Sequence, residues 1–336
     1  MNQLTNLDLS FNRIAILNNV STTLVLLYLD SYVSIPNPML PKSIGIDELY
    51  SKKMSLNNSS YLCILTDNIN KYPFDILPSR SKNTLNSHFS KYSKAQKDNV
   101  LFVTIDMWLP YKDVALRHFK NAKIAVDPFH VVKTLTHAFS KIRVSIQNNV
   151  DYNSDTYYLL KQWHFLLDKT DINLDNEPKY NKHFRRKLNY RSIYNMLLEI
   201  SDKLTLAYKL KYTYQLFNQI ATSDNCEAWF DRIIYEFSIS GISEYNDFTQ
   251  MLCNWREEII NSFLRPYDDR KLSNAISENI NSKIRAYLGL VRGTSNFIRF
   301  RKRVLLALND KVFYSISDRL VSNKAIGKPR GNYIKK

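Results

Sequence analysis

Two carboxylates stand where apolar side chains would pack better. Asp47 lies in Ser43-Ile44-Gly45-Ile46-Asp47-Glu48-Leu49, where the alternation of Ile44 and Ile46 predicts a strand, and Asp106 closes the apolar run Val100-Leu101-Phe102-Val103-Thr104-Ile105. The second position is the C-terminal end of a parallel-type strand, where open α/β sheets usually carry their sites. Taken singly, each residue reads equally well as a strand-end Asp capping the next turn or helix. As a pair they read as a metal site. Neighbouring acidic side chains repel unless a cation lies between them, and hard oxygen ligands without a nearby Cys or His cluster suit Mg²⁺ or Mn²⁺.

A third acid, Glu278, falls in a predicted helix whose Ile276, Ile280, Ile284 and Leu288 make one apolar stripe. Glu278 points away from that stripe, and Asn274, Asn281 and Arg285 share its polar side, so periodicity alone reads a solvated face and does not select it. Lys283, Arg285, Arg292, Arg299, Arg301, Lys302 and Arg303 follow closely. They read either as phosphate contacts or as a solvated basic surface. The formal net charge of +16 favours nucleic acid as partner, because excess Lys and Arg attract the phosphate backbone whatever its sequence.

The elements that must position these residues follow from the patterning. Short β-branched runs at Ser43 to Leu49, Tyr61 to Thr66, Phe74 to Leu77, Val100 to Ile105 and Ala122 to Val126 predict five strands. Helices are predicted over Lys82 to Lys94 and Tyr111 to Phe119, and from about Phe129. Three consecutive strands followed by alternating helices and strands suggest an antiparallel meander joined to a parallel part, the ribonuclease H-like order. Residues 141–270 show helical periodicity with many aromatics and no convincing strand, hence a helical insertion. Near the start, Ile14 to Val25 reads as a helix, a tight turn and a second helix capped by Ser21, either a helix-turn-helix or an amphipathic pair without a DNA role. The tail after about Ser322 is basic and predicted to be loosely ordered.

Composition bounds the rest. With 44% hydrophobic and 23% charged residues the bulk of the chain should fold. No apolar run of about 18 residues spans a bilayer and the N-terminus lacks a signal-peptide layout, so a cytoplasmic protein without a membrane partner is expected. Cys63, Cys226 and Cys253 lie far apart without a Cys-x-x-Cys pair and are expected reduced and buried.

Asp106-Met107-Trp108-Leu109-Pro110-Tyr111, with Phe119 to Ala122 and Ile124-Ala125-Val126-Asp127-Pro128-Phe129-His130-Val131, resembles the central block of transposases of the ISL-three family of bacterial insertion sequences. Ile44 to Glu48 is similar to that family's first-acid motif. Ser273-Asn274, Glu278, Asn281, Lys283-Ile284, Arg292-Gly293, Asn296-Phe297, Phe300-Arg301 and Arg303 resemble its last, in the same order and spacing.

The resemblance implies a DDE-type transposase: Asp47, Asp106 and Glu278 as catalytic and metal-holding residues, two Mg²⁺ or Mn²⁺ ions, and cleavage at insertion-sequence ends with strand transfer into target DNA. Asp127, His130 and Asn281 would be supporting residues, although Asp127 reads equally as a helix N-cap and His130 as a packed side chain. The implied fold is α/β, a ribonuclease H-like mixed five-stranded sheet with flanking helices interrupted by a large all-helical insertion. Its parts would be a partial helix-turn-helix-like segment at 1–40, a catalytic domain at 41–140 and 271–310, the insertion at 141–270 and a basic tail at 311–336. A bacterial, nucleoid-associated protein is expected, with a homo-oligomer in the DNA complex left open.

Two departures are visible. The family usually carries a cysteine zinc module and a complete DNA-binding region ahead of the catalytic domain, so the chain is expected to be an N-terminally shortened copy. Residues 51–60 also lack the family's Lys-Gly pair, and Asn279 stands where a Gly is common. The alternatives are a catalytically inactive remnant that only binds DNA, and a ribonuclease H-like nuclease.

Overall fold

The computed structural model describes residues 2–312, apart from 36–38, 53, 55–58, 170, 268, 291–295 and 311. The five expected strands form as β1 (Ser43–Tyr50), β2 (Tyr61–Asp67), β3 (Tyr72–Leu77), β4 (Phe102–Ile105) and β5 (Lys123–Val126). They make one sheet in the order β3-β2-β1-β4-β5, with β1–β2 and β2–β3 antiparallel. This is the mixed sheet with flanking helices of the expected ribonuclease H-like arrangement. Most residues of β1 to β3 are buried, which is why they read as apolar runs rather than as a clean alternation. Pro73 sits in β3, an edge strand, where a missing ladder donor is tolerated.

The chain divides into two compact units. Of the described residues, one unit holds those up to Val103, Pro110–Ala122 and those from Asn274 onward; the other holds those of Thr104–Leu109 and Lys123–Ser273. The second unit therefore takes in β5 and the turn after β4 as well as the helical stretch expected at 141–270. Its helix Arg256–Asn261 holds β5 through Asn261, whose Nδ2 donates to Ile124 O at 2.9 Å.

In the first unit the helices Ala275–Leu290 and Phe297–Leu308 cover β1 to β3, packing Ile280, Ile284, Tyr287, Phe300, Val304 and Leu305 against Leu49, Leu62, Ile64 and Ile76. Ile276 and Leu288, expected in the buried stripe, lie at its partly buried margin. The expected N-terminal helix pair is Phe11–Leu17 and Thr22–Tyr32, capped by Ser10 and Ser21. The two helices meet at 108°, with Asn19 in the left-handed conformation of the turn (φ 51°), which asparagine tolerates. The pair packs through Phe11, Ile14, Val25 and Leu29 around Leu306 of the C-terminal helix.

Three local expectations are corrected. The helix predicted over Lys82 to Lys94 stops at Phe89 and restarts at Lys94, because Ser93 and Gln96 form a capping box. Residues 141–270 contain a two-stranded ribbon, Lys179–Asn181 with Arg186–Leu188. Its three-residue strands are too short and too polar to show an alternating pattern. Cys63 and Cys226 are buried free thiols, but Cys253 is exposed on the helix Asn246–Asn254.

In the second unit Asp127 caps the long helix Pro128–Asn148, which buries Val131, Leu135, Phe139 and Ile142. Lys211, on the helix Asp202–Ile220, is also buried, and its ammonium donates to Leu167 O at 2.7 Å and Asp168 O at 3.2 Å. Among the described residues no single helix is long and apolar enough to cross a membrane.

Candidate functional site

Asp47 is 3% exposed in the middle of β1. A carboxylate there needs donors, and it has them: Oδ1 accepts the backbone N–H of Glu48 at 2.7 Å, and Oδ2 accepts Nδ2 of Asn281 at 2.8 Å. Asn281 also donates to Glu48 O at 3.3 Å, and Asn274 Nδ2 donates to Ile46 O at 3.2 Å. Two asparagines thus tie the start of the helix Ala275–Leu290 to the strand on both sides of Asp47. Asn281, grouped by periodicity with the solvated side, is fully buried. In the sequence only the apolar stripe marks the helix's buried face, and the hydrogen-bonding groups of β1 widen that face to take in Asn274 and Asn281.

The close approach depends on Gly45. A Cβ there would lie 2.3 Å from Thr66 Oγ1, 2.8 Å from Asn68 Oδ1 and 2.9 Å from Ser277 Oγ. Thr66 Oγ1 and Ser277 Oγ hydrogen-bond at 2.8 Å, pinning the first turn of the helix to β2.

Glu278 is one residue beyond Ser277 and lies between Asn274 and Asn281 in sequence. At about 100° per residue it projects from the rim of the buried face, roughly 60° round the helix from Asn281. Its side chain is 49% exposed and 3.8 Å from Arg285 Nη1. Glu48, beside Asp47, pairs with Arg80 at 2.7 Å and accepts a hydrogen bond from Tyr111 Oη at 3.5 Å. In the sequence Arg80 carries no mark and Tyr111 stands only within the family's central block; nothing in their local pattern points to a partner on β1. Cys63, opposite Glu48 on β2, is held in its thiol form chiefly by burial and further by Asp47.

In the second unit Asp106, Asp127 and His130 come together. One ligand atom from each lies within 4.8 Å of the others, and His130 Nε2 is 3.2 Å from Asp106 Oδ1. Both carboxylates are buried, at 7% and 6% exposure. Local structure explains the grouping: Asp127 N donates to Ile105 O at 3.0 Å, Asp127 Oδ1 accepts Phe129 N at 3.1 Å as the helix N-cap, and His130 follows on the first turn. The N-cap reading of Asp127 holds, and the same carboxylate belongs to the cluster. Two oxygen donors and an imidazole fit a divalent cation.

The expected phosphate contacts separate into groups. Lys283 and Arg285 are exposed. Arg299 pairs with Asp30 at 2.7 Å, Lys302 donates to Asp30 O at 2.9 Å, and Arg301 pairs with buried Asp75. Arg303 is corrected: it is 0% exposed and donates through Nη2 to the carbonyls of Gln3, Asn6 and Leu9 at 3.4, 2.7 and 3.1 Å. A guanidinium committed to three carbonyls and packed over Phe11, 5.0 Å from the ring centre, holds the N-terminal segment instead of reaching phosphate. Arg292 lies outside the described residues, as do 311 and 313–336 of the expected tail.

Residues 44–304 match a family model described as a transposase, the ISL3 type of DDE transposase. The chain is also similar to the transposase for insertion sequence element IS1001 of Bordetella parapertussis, 24% identical over 227 residues. That match covers 67% of this chain and 52% of the relative, so the chain spans about half the length of the curated relative it matches. No solved structure matches. The family match spans residues 44–304, from β1 through the helix Ala275–Leu290 that the buried asparagines tie to it, and the chain belongs to the ISL3 family of DDE transposases.

Proposed function

We propose that this protein is a DNA transposase that uses divalent metal to cut strands at insertion-sequence ends and joins the freed ends to target DNA. In cleavage, water attacks a phosphodiester at the element's end and a 3′-hydroxyl leaves; that hydroxyl then attacks the phosphorus of a target phosphodiester, and the target strand's own 3′-oxygen leaves. Each step exchanges one P–O bond for another, so the protein has to supply position and charge rather than a covalent nucleophile. Asp47, Asp106 and Glu278 would hold Mg²⁺ or Mn²⁺, two ions in the family's pattern, with Asp127 and His130 beside Asp106. Bound there, the ions would supply Lewis-acid neutralisation of charge developing at phosphorus.

The observation that carries this reading is the hydrogen bond from Asn281 to Asp47, which fixes the helix bearing Glu278 on the strand bearing the first acid. Asn281 orients Asp47 by donating to its Oδ2, and His130 Nε2 stands 3.2 Å from Asp106 Oδ1. Lys283 and Arg285, both exposed on the helix that carries Glu278, would meet the DNA backbone. The N-terminal helix pair would add less, since Arg13 is the one cation in residues 1–40.

Asp106→Asn keeps the shape and removes the ligand charge. It should abolish Mg²⁺- or Mn²⁺-dependent nicking of end-containing DNA while DNA binding survives. Unchanged nicking in this variant overturns the assignment. A second reading, a remnant that binds DNA without cutting it, is favoured by the half-exposed Glu278 and its contact with Arg285. Absence of nicking by the unaltered chain, with binding intact, would establish it.

A further inference from the structure

The edge of the sheet at β3 carries a cavity of about 510 Å³. It lies wholly in the first unit and uses none of the residues assigned above to metal. Asp75, Pro78, His88, Tyr92, Gln96 and Arg301 supply the features that matter, and Lys91 stands exposed among its lining residues.

Asp75 is built into the floor. It is 3% exposed and pairs with Leu65, so it points to the face of β3 opposite Ile76, which packs under the C-terminal helix. Arg301, from that helix, places Nε on Asp75 Oδ1, which also accepts Ile76 N at 2.6 Å. Asp75 Oδ2 is 3.6 Å from His88 Nδ1, beyond hydrogen-bond range. Burial keeps His88 neutral by lowering its pKa, and Tyr92 Oη lies 3.4 Å from its Nε2. Gln96 accepts the Ser93 backbone N–H at its Oε1 in the capping box.

The chemistry of this lining is specific. Tyr92 and Phe297 offer flat apolar surface, a carboxylate oxygen and a neutral imidazole lie deep, and one ammonium stands outside. With Asp75 offset by Arg301, the cavity keeps a net positive charge from Lys91. Its volume falls in the range of small-ligand sites, roughly 300–1,000 Å³.

We infer that this cavity takes a single unstacked nucleotide of a DNA strand, with the base inward against Tyr92, its exocyclic amino group donating to Asp75, and its phosphate on Lys91. Cytosine and adenine present such an amino group and thymine does not. The inference rests on the DNA-binding part of the proposed function and adds a second point of contact with the strand, one that reads base identity. A nucleotide held there would have to leave the duplex stack, as bases do when proteins extrude them into pockets.

The test uses the full chain and labelled single-stranded 12-mers of cytosine, adenine or thymine, with binding followed by fluorescence anisotropy. Cytosine and adenine strands should bind about 10-fold more tightly than thymine. Tyr92→Leu should weaken their binding by about 10-fold, the scale of one lost base–aromatic stack. Lys91→Ala should weaken all three strands equally, and Asp75→Asn, checked for an intact melting transition, should erase the preference. Should Asp75→Asn fail to fold, Tyr92→Leu and Lys91→Ala still decide the question. Equal affinity for the three strands, unaffected by Tyr92→Leu, overturns the inference while leaving the transposase reading intact. Loss of metal-dependent nicking in Asp106→Asn is read separately on duplex ends and is independent of this cavity.

Discussion

Asn281 donates its side-chain amide to Oδ2 of Asp47 at 2.8 Å, across 234 residues of sequence, and both residues are buried. The bond satisfies a carboxylate that burial would otherwise penalise, and it locates the helix that carries Glu278. Asn281→Ala should lower stability by about 1–3 kcal/mol, the cost of leaving a charged acceptor short of one donor. Urea unfolding measures this. An unchanged midpoint would mean that water replaces the amide and that the bond does not hold the helix.

Gly45→Ala should destabilise by about 1–3 kcal/mol, the range for overpacking, because its methyl would sit 2.3 Å from Thr66 Oγ1. Thr66→Ala removes that oxygen. In a double-mutant cycle the second change should cost less in the Gly45→Ala background than alone, and strict additivity would remove the steric account.

The basic residues should separate by salt dependence. Lys283→Ala and Arg285→Ala should each reduce the slope of log affinity against log salt by about one for duplex DNA. Arg303→Ala should leave the slope unchanged and lower stability by about 2–4 kcal/mol, since the carbonyls of Gln3, Asn6 and Leu9 lose their donor. A slope change in Arg303→Ala would return that residue to the DNA surface.

His130→Ala removes the imidazole 3.2 Å from Asp106 Oδ1. Nicking should fall about 10- to 100-fold, as when an outer partner of a metal ligand is lost, with stability changed by no more than about 1 kcal/mol. Full activity in this variant would reduce His130 to a packing residue.

His88 gives a pH dependence. Burial lowers its folded pKa from 6.5, outweighing the opposing pull of Asp75. The unfolded chain therefore binds the proton more readily, so the stability from neutral His88 is fully present above about pH 6.5 and drains away as pH falls toward the folded value. Unfolding midpoints at pH 7.5 and 5 should differ by less in His88→Phe than in the unaltered chain. An equal difference would assign the acid sensitivity elsewhere.

The sheet was legible because its strands are short, β-branched and buried, and because Asp47 and Asp106 interrupt or end them where apolar residues belong. Family motifs brought in Glu278, which periodicity would have left on a solvated face. Asn281 and Arg303 were misplaced for one shared reason: a polar side chain on an amphipathic helix looks solvated until the distant segment that receives it is known. For Asn281 that segment is β1, and for Arg303 it is the chain's first turns. Asp75 and His88 escaped notice likewise, and Arg301 read only as a phosphate contact, since an edge strand, a short helix and the helix Phe297–Leu308 contribute one group each and none forms a local pattern. The ribbon at 179–188 has too few residues for alternation to register.

The separation of Asp47 from Asn281 also sets an order in time. A ribosome adding about 5–20 residues per second finishes β1 on the order of 10–50 s before Asn281 exists. Throughout that interval the strand can pair with β2 and β3, but the amide for Asp47 has not been made, nor has Ser277 for Thr66. The nascent chain thus carries Asp47 and Asp106 well before Glu278 and Asn281 are made, so the contacts that seat the helix Ala275–Leu290 on β1 and β2 form only after that helix has been synthesised.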